Sequence, residues 1–360
     1  RIEPKQGVYD ENEIEHYRKV LTCCRENGVE PIVTMMHFTS PKWLIENGGW
    51  ENEATVEAFK NYCQYVTEQL GDLMHYVCTI NEANMGIQVA AISARYRAQM
   101  MAKMQRMQQG GAEEKKDLEG TAQVGMNFND MMANMQKQKE ENVEIFGTDT
   151  LQTFVSARTP EGDMLVIRAH QAARAAMKAV KPELQIGLTL SLHDIQAQEG
   201  GETAAKEWVD EFTHYVPYIK EDDFFGLQNY SRSLIGPNGI LPVPEGAEIT
   251  QMDYEYYPEG LEHVIRRVYE EMPMPIMVTE NGIATADDTR RVAYIQTAMK
   301  GVENCIQDGI PVKGYMYWSM MDNFEWQKGF GMTFGLISVD RTTQTRTAKP
   351  SLTVLGNYTK

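Results

Sequence analysis

The sequence lacks the features that build a disulfide scaffold, a structural metal site or a membrane span. Its 360 residues contain only five cysteines, which are scattered and form no CxxC pair, and this argues against disulfide frameworks and zinc sites. No apolar run approaches the roughly 18 residues of a transmembrane helix, and no signal-peptide pattern is present. We therefore expect a cytoplasmic protein.

Positive charge is also scarce. The chain has 34 Lys and Arg residues against 51 Asp and Glu residues, which gives a net charge of −17 at pH 7. Such a surface repels the phosphates of nucleic acids and the head groups of anionic lipids. We expect neither nucleic acid nor a membrane as a partner, and a neutral small molecule suits this charge better. The composition leaves room for a homo-oligomer.

Short apolar segments alternate with helical patterns along most of the chain. Six segments lack the period of two that marks half-exposed strands, as expected for strands buried on both faces of a parallel sheet: residues 31–36, 75–80, 185–190, 223–228, 275–279 and 312–317. The alternation predicts a parallel α/β fold. Periodicity alone leaves open an eight-stranded barrel and a six-stranded doubly wound sheet.

Residues 95–154 interrupt this alternation. They carry no strand pattern, and eight of the chain's 23 methionines lie between Met100 and Met135. Methionine fills irregular apolar gaps, so the segment is either a helical insertion with a Met-lined inner face or a lid over a ligand site.

Polar and aromatic residues follow the carboxyl ends of the predicted strands, where parallel α/β folds build their ligand sites. Two glutamates stand out because each follows an apolar strand beside an asparagine, in Asn81-Glu82 and Glu280-Asn281. A buried pair of carboxyl groups can divide into an acid and a base. For either glutamate alone, a structural ion pair is the alternative. Other polar and aromatic residues at these strand ends are His37, Asn229, Tyr230, Trp318 and the stretch from Asp322 to Trp326.

Several of these residues lie in longer motifs that occur in a fixed order. The motifs are TINE at residues 79–82, YPEGL at 257–261, VTENG at 278–282 and YWSMMDNFEW at 317–326, the last of which is highly specific. With these motifs the chain resembles glycoside hydrolase family 1, the β-glucosidase family, from Arg1 to Lys360 apart from the insertion.

The resemblance implies a (β/α)8 barrel of the TIM type and a retaining β-glycosidase that needs no metal or organic cofactor. It implies that Glu82 is the acid/base and Glu280 the nucleophile, with carboxyl groups about 5–5.5 Å apart. The substrate would be an unphosphorylated β-D-glucoside, a related β-glycoside or an oligosaccharide, because the Glu325 carboxylate repels a sugar phosphate. The implied substrate-binding residues are His37, Asn81, Tyr230, Trp318, Glu325, Trp326 and Phe334.

The chain departs from the family pattern in three places. Ala83 replaces a proline, which we expect to loosen the loop after Glu82, and residues 95–154 replace the usual loop after the acid/base strand. Residues 1–4 resemble the end of the family's second strand. We therefore expect residues 1–360 to form a single catalytic barrel domain with about six of eight strands, lacking the first two. The alternatives are a catalytically inert fragment and a sugar-binding relative.

Overall fold

A computed structural model describes residues 1–108, 128–147, 149 and 151–359. Their strands are β1 (Ile32–Met36), β2 (Tyr76–Ile80), β3 (Gln185–Gly187), β4 (Thr189–Ser191), β5 (Asp194–Ala197), β6 (Phe225–Gln228), β7 (Arg232–Gly236), β8 (Gly239–Ile240), β9 (Ile276–Asn281), β10 (Val312–Tyr317), β11 (Ile337–Val339) and β12 (Arg346–Ala348). Their helices are α1 (Glu11–Glu26), α2 (Lys42–Glu46), α3 (Ala54–Leu70), α4 (Met85–Gln108), α5 (Phe128–Phe146), α6 (Pro160–Val180), α7 (Glu202–Thr213), α8 (Val216–Ile219), α9 (Gly260–Glu271), α10 (Asp288–Gln307) and α11 (Pro350–Gly356).

The chain divides into two compact units. Of the described residues, the first unit contains those in 1–108, 138–191 and 214–226, and the second contains those in 128–137, 192–213 and 227–359. Strand β6 begins in the first unit and ends in the second. No helix in the part of the chain that the structure describes is long and apolar enough to cross a membrane.

The first unit is built on the parallel strands β1, β2 and β3, with β2 in the middle. Helices α3 and α6 pack against each other beside these strands. The buried side chains of β2 and of the two helices form the core, as expected for a strand covered on both faces; they include Val77, Cys78, Ile80, Phe59, Cys63, Val66, Val166, Ile167 and Ala173.

The second unit places the parallel strands β9 and β10 beside helices α9 and α10. A separate small sheet has the order β5–β7–β8, and β11 and β12 form an antiparallel pair. Among the described residues of this unit, β10 pairs with β9 alone. The expected absence of the first two barrel strands stays a prediction.

Helix boundaries follow local signals in the sequence. The carboxylate of Asp10 accepts the Asn12 N–H at 2.9 Å and caps α1, as expected for an aspartate at the N-cap position. The hydroxyl of Thr159 accepts the Gly162 N–H at 3.0 Å and caps α6, whose first residue is Pro160, a residue that favours the first helical position. These signals fix where the helices start relative to the strands.

Each of the six predicted strand segments contains a strand, but residues 185–190 are split. The break between β3 and β4 lies at Leu188, whose N–H donates to the Asp222 carboxylate at 3.1 Å. The N–H of Ile186 likewise donates to the Asp223 carboxylate at 2.9 Å. Side chains thus replace part of the strand ladder at this edge.

Candidate active site

In the first unit, the carboxyl ends of β1 and β2 bring His37 and Asn81 together. The Asn81 N–H donates to the Met36 carbonyl at 2.8 Å, and the Asn81 side-chain amide lies 3.2 Å from Nε2 of His37. Burial lowers the pKa of His37 to about 4, so the ring is neutral at pH 7. Nε2 therefore accepts from the Asn81 amide, and Nδ1 carries the ring proton.

Glu82 follows Asn81 in an uncommon backbone conformation. Its φ is +43°, in the left-handed region that costs a non-glycine residue free energy. Its N–H donates to the hydroxyl of Thr189 at 3.0 Å, and the next N–H, that of Ala83, donates to the Thr189 carbonyl at 3.0 Å. Glu82 is only 7 % exposed.

Ala83 holds this turn instead of loosening it. A proline at this position would have no N–H for the Thr189 carbonyl. The Ala83 carbonyl accepts from the guanidinium of Arg158 at 2.9 Å. The contacts of Ala83 thus oppose the loosening that the sequence led us to expect.

Asn84 and Gly86, which follow in the chain, also contact neighbouring residues closely. The Asn84 side chain donates to the Ser191 carbonyl at 2.8 Å and accepts the Ser191 N–H at 3.1 Å. A Cβ atom on Gly86 would come within 2.6 Å of the Arg158 guanidinium carbon. Glycine at position 86 therefore lets the buried arginine reach the turn.

In the second unit, Glu280 is the next-to-last residue of β9, and its carboxylate accepts a hydrogen bond from the Tyr230 hydroxyl at 2.6 Å. The neighbouring Asn229 N–H donates to the Glu280 carbonyl at 3.2 Å and sets the two residues side by side. Burial raises the pKa of Glu280 to about 7; the Tyr230 hydrogen bond opposes the rise and the charge of Glu325 adds to it.

Two tyrosines that the sequence did not single out complete this arrangement. The Asn281 side chain accepts from the Tyr315 hydroxyl at 2.8 Å and donates to the Tyr294 hydroxyl at 3.0 Å. The Tyr294 hydroxyl in turn donates to the Tyr230 carbonyl at 3.2 Å. Asn281 thus acts as a support for β9 and Tyr230.

Trp318 and Phe334 pack with Tyr230 in one apolar cluster. The rings of Tyr230 and Phe334 lie 6.2 Å apart, edge to face. Phe334 is buried, and Trp318 and Tyr230 are partly buried against it. This cluster forms an aromatic wall beside Glu280.

Glu325 lies in the loop after β10. Burial raises the pKa of Glu325 to about 7, and a hydrogen bond with the Trp318 side chain opposes the rise. Reciprocal backbone hydrogen bonds with Gly329, both of 2.7 Å, shape the loop, and Gly329 adopts a φ of +65°. Trp326, the next residue, is 42 % exposed.

Asp322 and Lys349 anchor the start of this loop. The Lys349 ammonium lies 3.1 Å from the Asp322 carboxylate and donates to the Gly335 carbonyl at 2.7 Å. The Gly335 N–H donates to the same carboxylate at 2.8 Å. Asp322 therefore supports the loop that carries Glu325.

The structure thus groups the predicted residues by unit. It brings His37, Asn81 and Glu82 together in the first unit, and Tyr230, Glu280, Trp318, Glu325 and Phe334 in the second. Each group contains a buried carboxyl group close to the carboxyl end of a strand, Glu82 in the first and Glu280 in the second.

The comparison with protein families decides the class of this protein. The family model described as glycosyl hydrolase family 1 matches residues 1–358. The chain belongs to this family.

Characterised members agree with that assignment. A beta-glucosidase from Agrobacterium sp. is 26 % identical over 96 % of this chain and 75 % of its own length. The apo structure of beta-glucosidase 1317 superposes with a TM-score of 0.84 at 35 % identity, over 99 % of this chain and 81 % of that one. The beta-glycosidase BGL167 gives 0.81 at 40 % identity, over 99 % and 79 %. The fold class is therefore the (β/α)8 barrel, and the protein is a glycoside hydrolase that acts on carbohydrate.

Proposed function

We propose that the protein is a retaining β-glycosidase for unphosphorylated β-D-glucosides or related β-glycosides. The observation that carries the proposal is the buried Glu280 carboxylate near the end of β9, which accepts a hydrogen bond from the Tyr230 hydroxyl at 2.6 Å. A carboxylate fixed in this way can serve as a nucleophile whose attacking oxygen is oriented by the tyrosine.

The reaction is a double displacement with Glu280 as nucleophile and Glu82 as acid/base. Glu280 bonds to the anomeric carbon while the bond to the leaving-group oxygen breaks, and Glu82 gives its proton to that oxygen. Glu82, now a carboxylate, then takes a proton from water. The water oxygen bonds to the anomeric carbon, the ester to Glu280 breaks, and the sugar leaves with its β configuration retained.

The electrostatics of Glu280 suit this role near neutral pH. With a pKa raised to about 7 by burial, a substantial fraction of the carboxyl group is ionised at pH 7. The Tyr230 hydroxyl favours the ionised form because it donates to the carboxylate. Formation of the glycosyl ester removes that buried charge.

The remaining residues bind the sugar. Asn81 and the neutral ring of His37 present an amide and an imidazole N–H to ring hydroxyls. The aromatic wall of Trp318 and Phe334 stacks against the apolar face of the sugar. Glu325 and Trp326 bind hydroxyls far from the scissile bond. A carboxylate at position 325 accepts such hydroxyls and repels a phosphate in their place.

Two variants test the proposal with an aryl β-glucoside and an activated 2-deoxy-2-fluoro-glucoside. Wild-type protein should form a covalent adduct on Glu280 with the fluoro sugar, detected by peptide mass spectrometry. Glu280→Gln should lose the adduct and turnover, and azide should not restore turnover. Glu82→Ala should keep turnover of substrates whose leaving group needs no proton, and azide should raise it further.

Glu303→Gln is the matched control, since the Glu303 side chain lies on α10 and is 45 % exposed, and this variant should react as wild type does. Identical behaviour of the Glu82 and Glu280 variants would refute the two roles. If wild-type protein binds glucose but forms no adduct, the sugar-binding alternative is correct; if it neither binds nor reacts, the chain is an inert fragment.

A further inference from the structure

Thr189 accepts two hydrogen bonds from the backbone of the turn that carries Glu82. It lies at the start of β4 and is 1 % exposed. Its hydroxyl accepts the Glu82 N–H at 3.0 Å, and its carbonyl accepts the Ala83 N–H at 3.0 Å. Two successive N–H groups of the turn therefore converge on one buried residue.

The same hydroxyl also has acceptors for its own proton. It lies 3.3 Å from the side-chain oxygen of Asn81 and 3.3 Å from the carbonyl of Ile80. A hydroxyl group can donate one hydrogen bond while it accepts another. Thr189 thus links the backbone of Glu82 to Asn81, whose amide contacts His37.

The conformation of Glu82 makes this contact important. A glutamate at φ +43° persists only where its surroundings over-determine it. The direction of the Glu82 side chain follows from this backbone conformation, because Cα and Cβ turn with it. An acid displaced by about 1 Å can lose about 100-fold in rate.

We propose that Thr189 is a positioning residue that holds the turn of Glu82 and so aims its carboxyl group at the leaving-group oxygen. The inference rests on the proposed role of Glu82 as acid/base. Thr189 acts through the Glu82 backbone and does not itself touch the substrate.

Two substitutions separate the hydroxyl from the rest of the side chain. Thr189→Val keeps the branched shape but leaves the Glu82 N–H without its acceptor, whereas Thr189→Ser keeps the hydroxyl. Thr67→Val is the matched control, because Thr67 is also buried and its hydroxyl donates to a backbone carbonyl, that of Cys63, at 2.8 Å.

The kinetic readout is the ratio of kcat/KM for an aryl glucoside with a good leaving group to kcat/KM for an alkyl glucoside. Only the alkyl leaving group needs a proton, so loss of acid alignment raises this ratio. We expect Thr189→Val to raise it about 10-fold, part of the roughly 100- to 10,000-fold that general acid catalysis supplies. Thr189→Ser and Thr67→Val should keep the wild-type ratio.

A second readout does not depend on turnover. Hydrogen exchange of the peptide over residues 78–88 should show one amide losing protection in Thr189→Val, that of Glu82. The Ala83 amide should stay protected because its acceptor is a backbone carbonyl. Thr189→Ser should keep both amides protected.

Glu82→Ala, measured beside these variants, separates the two hypotheses. If Glu82→Ala leaves the leaving-group ratio unchanged, the proposed function is wrong. If Glu82→Ala raises the ratio but Thr189→Val does not, the inference about Thr189 is wrong on its own. The inference is equally wrong if Thr189→Val lowers the unfolding temperature as Thr67→Val does but leaves the ratio and the Glu82 amide unchanged.

Discussion

Tyr230→Phe should move the pH dependence of catalysis upward. The Tyr230 hydroxyl lies 2.6 Å from the Glu280 carboxylate and is the contact that lowers the pKa of this buried group against the effect of burial. Removing the hydroxyl leaves the desolvation and the Glu325 charge unopposed. The pKa of Glu280 should therefore rise above its present value of about 7.

The size of the change follows from the strength of the hydrogen bond. A hydrogen bond to a charged group contributes about 1.5–3 kcal/mol, and one pKa unit corresponds to about 1.4 kcal/mol. The pKa should rise by about 1–2 units. At pH 7 the ionised fraction of Glu280 would then fall from about one half to roughly 1–9 %, so kcat/KM should fall roughly 5- to 50-fold.

The assay is the pH profile of kcat/KM for an aryl β-glucoside, whose acidic limb should report Glu280 in the free enzyme. The limb should lie near pH 7 in wild type and near pH 8–9 in Tyr230→Phe. Tyr256→Phe is the control, since the Tyr256 hydroxyl donates to the Arg290 carbonyl at 3.4 Å. An acidic limb that stays in place in Tyr230→Phe would refute the electrostatic role of the hydroxyl.

Three further predictions concern charge and the insertion. Glu325→Gln should weaken binding of neutral glucosides and raise kcat/KM for 6-phosphorylated ones relative to them; an unchanged ratio would remove Glu325 from the site. Glu280 has a native pKa of about 7 against 4.5 in a model peptide, so the native state holds a proton that the unfolded state has lost between these values. The stability that this proton gives the native state is complete below about pH 4.5 and is lost as the pH rises through 7, where the buried carboxyl group becomes charged. Because glutamine carries no charge, urea unfolding at pH 8 should show Glu280→Gln more stable than wild type by up to about 3 kcal/mol. Replacement of residues 95–153 by a short linker, which keeps Phe154 and its contact with Arg158, should change the preference among leaving groups and spare the chemistry of Glu82, as expected of a cover on the catalytic face; unaltered preference would show an insertion without a role in substrate choice.

The local sequence patterns predicted strands well where no side chain from a distant part of the chain interrupts the strand. The segment 312–317 has the same bounds as β10. Residues 185–190 were predicted as one strand, yet the chain breaks at Leu188 because the Asp222 carboxylate takes its N–H. That acceptor lies 34 positions along the chain, where a local pattern cannot reveal it.

The site likewise contains residues that the sequence could identify and residues that only the structure reveals. Glu82, Glu280 and Tyr230 follow apolar strands or lie in motifs, so the sequence could single them out. Thr189 and Tyr294 carry no motif and occupy a strand and a helix that read as ordinary core. Their roles come from hydrogen bonds to the backbone of distant residues, which side-chain patterns do not encode.

Arg158 joins Phe154, the last residue of the insertion, to Ala83 in the turn that precedes helix α4. Its guanidinium donates to the Phe154 carbonyl at 2.9 Å and to the Ala83 carbonyl at 2.9 Å, and α4 begins two residues after Ala83. Arg158 thus holds Ala83 and Phe154 together, and these are the two attachment points of the segment between them. The entropic cost of closing such a segment into a loop rises only slowly with its length. Evolution could therefore lengthen, shorten or exchange that segment without disturbing Glu82, the proposed acid/base residue. The same attachment points offer a protein engineer a place to graft a foreign binding module beside a glycosidase site.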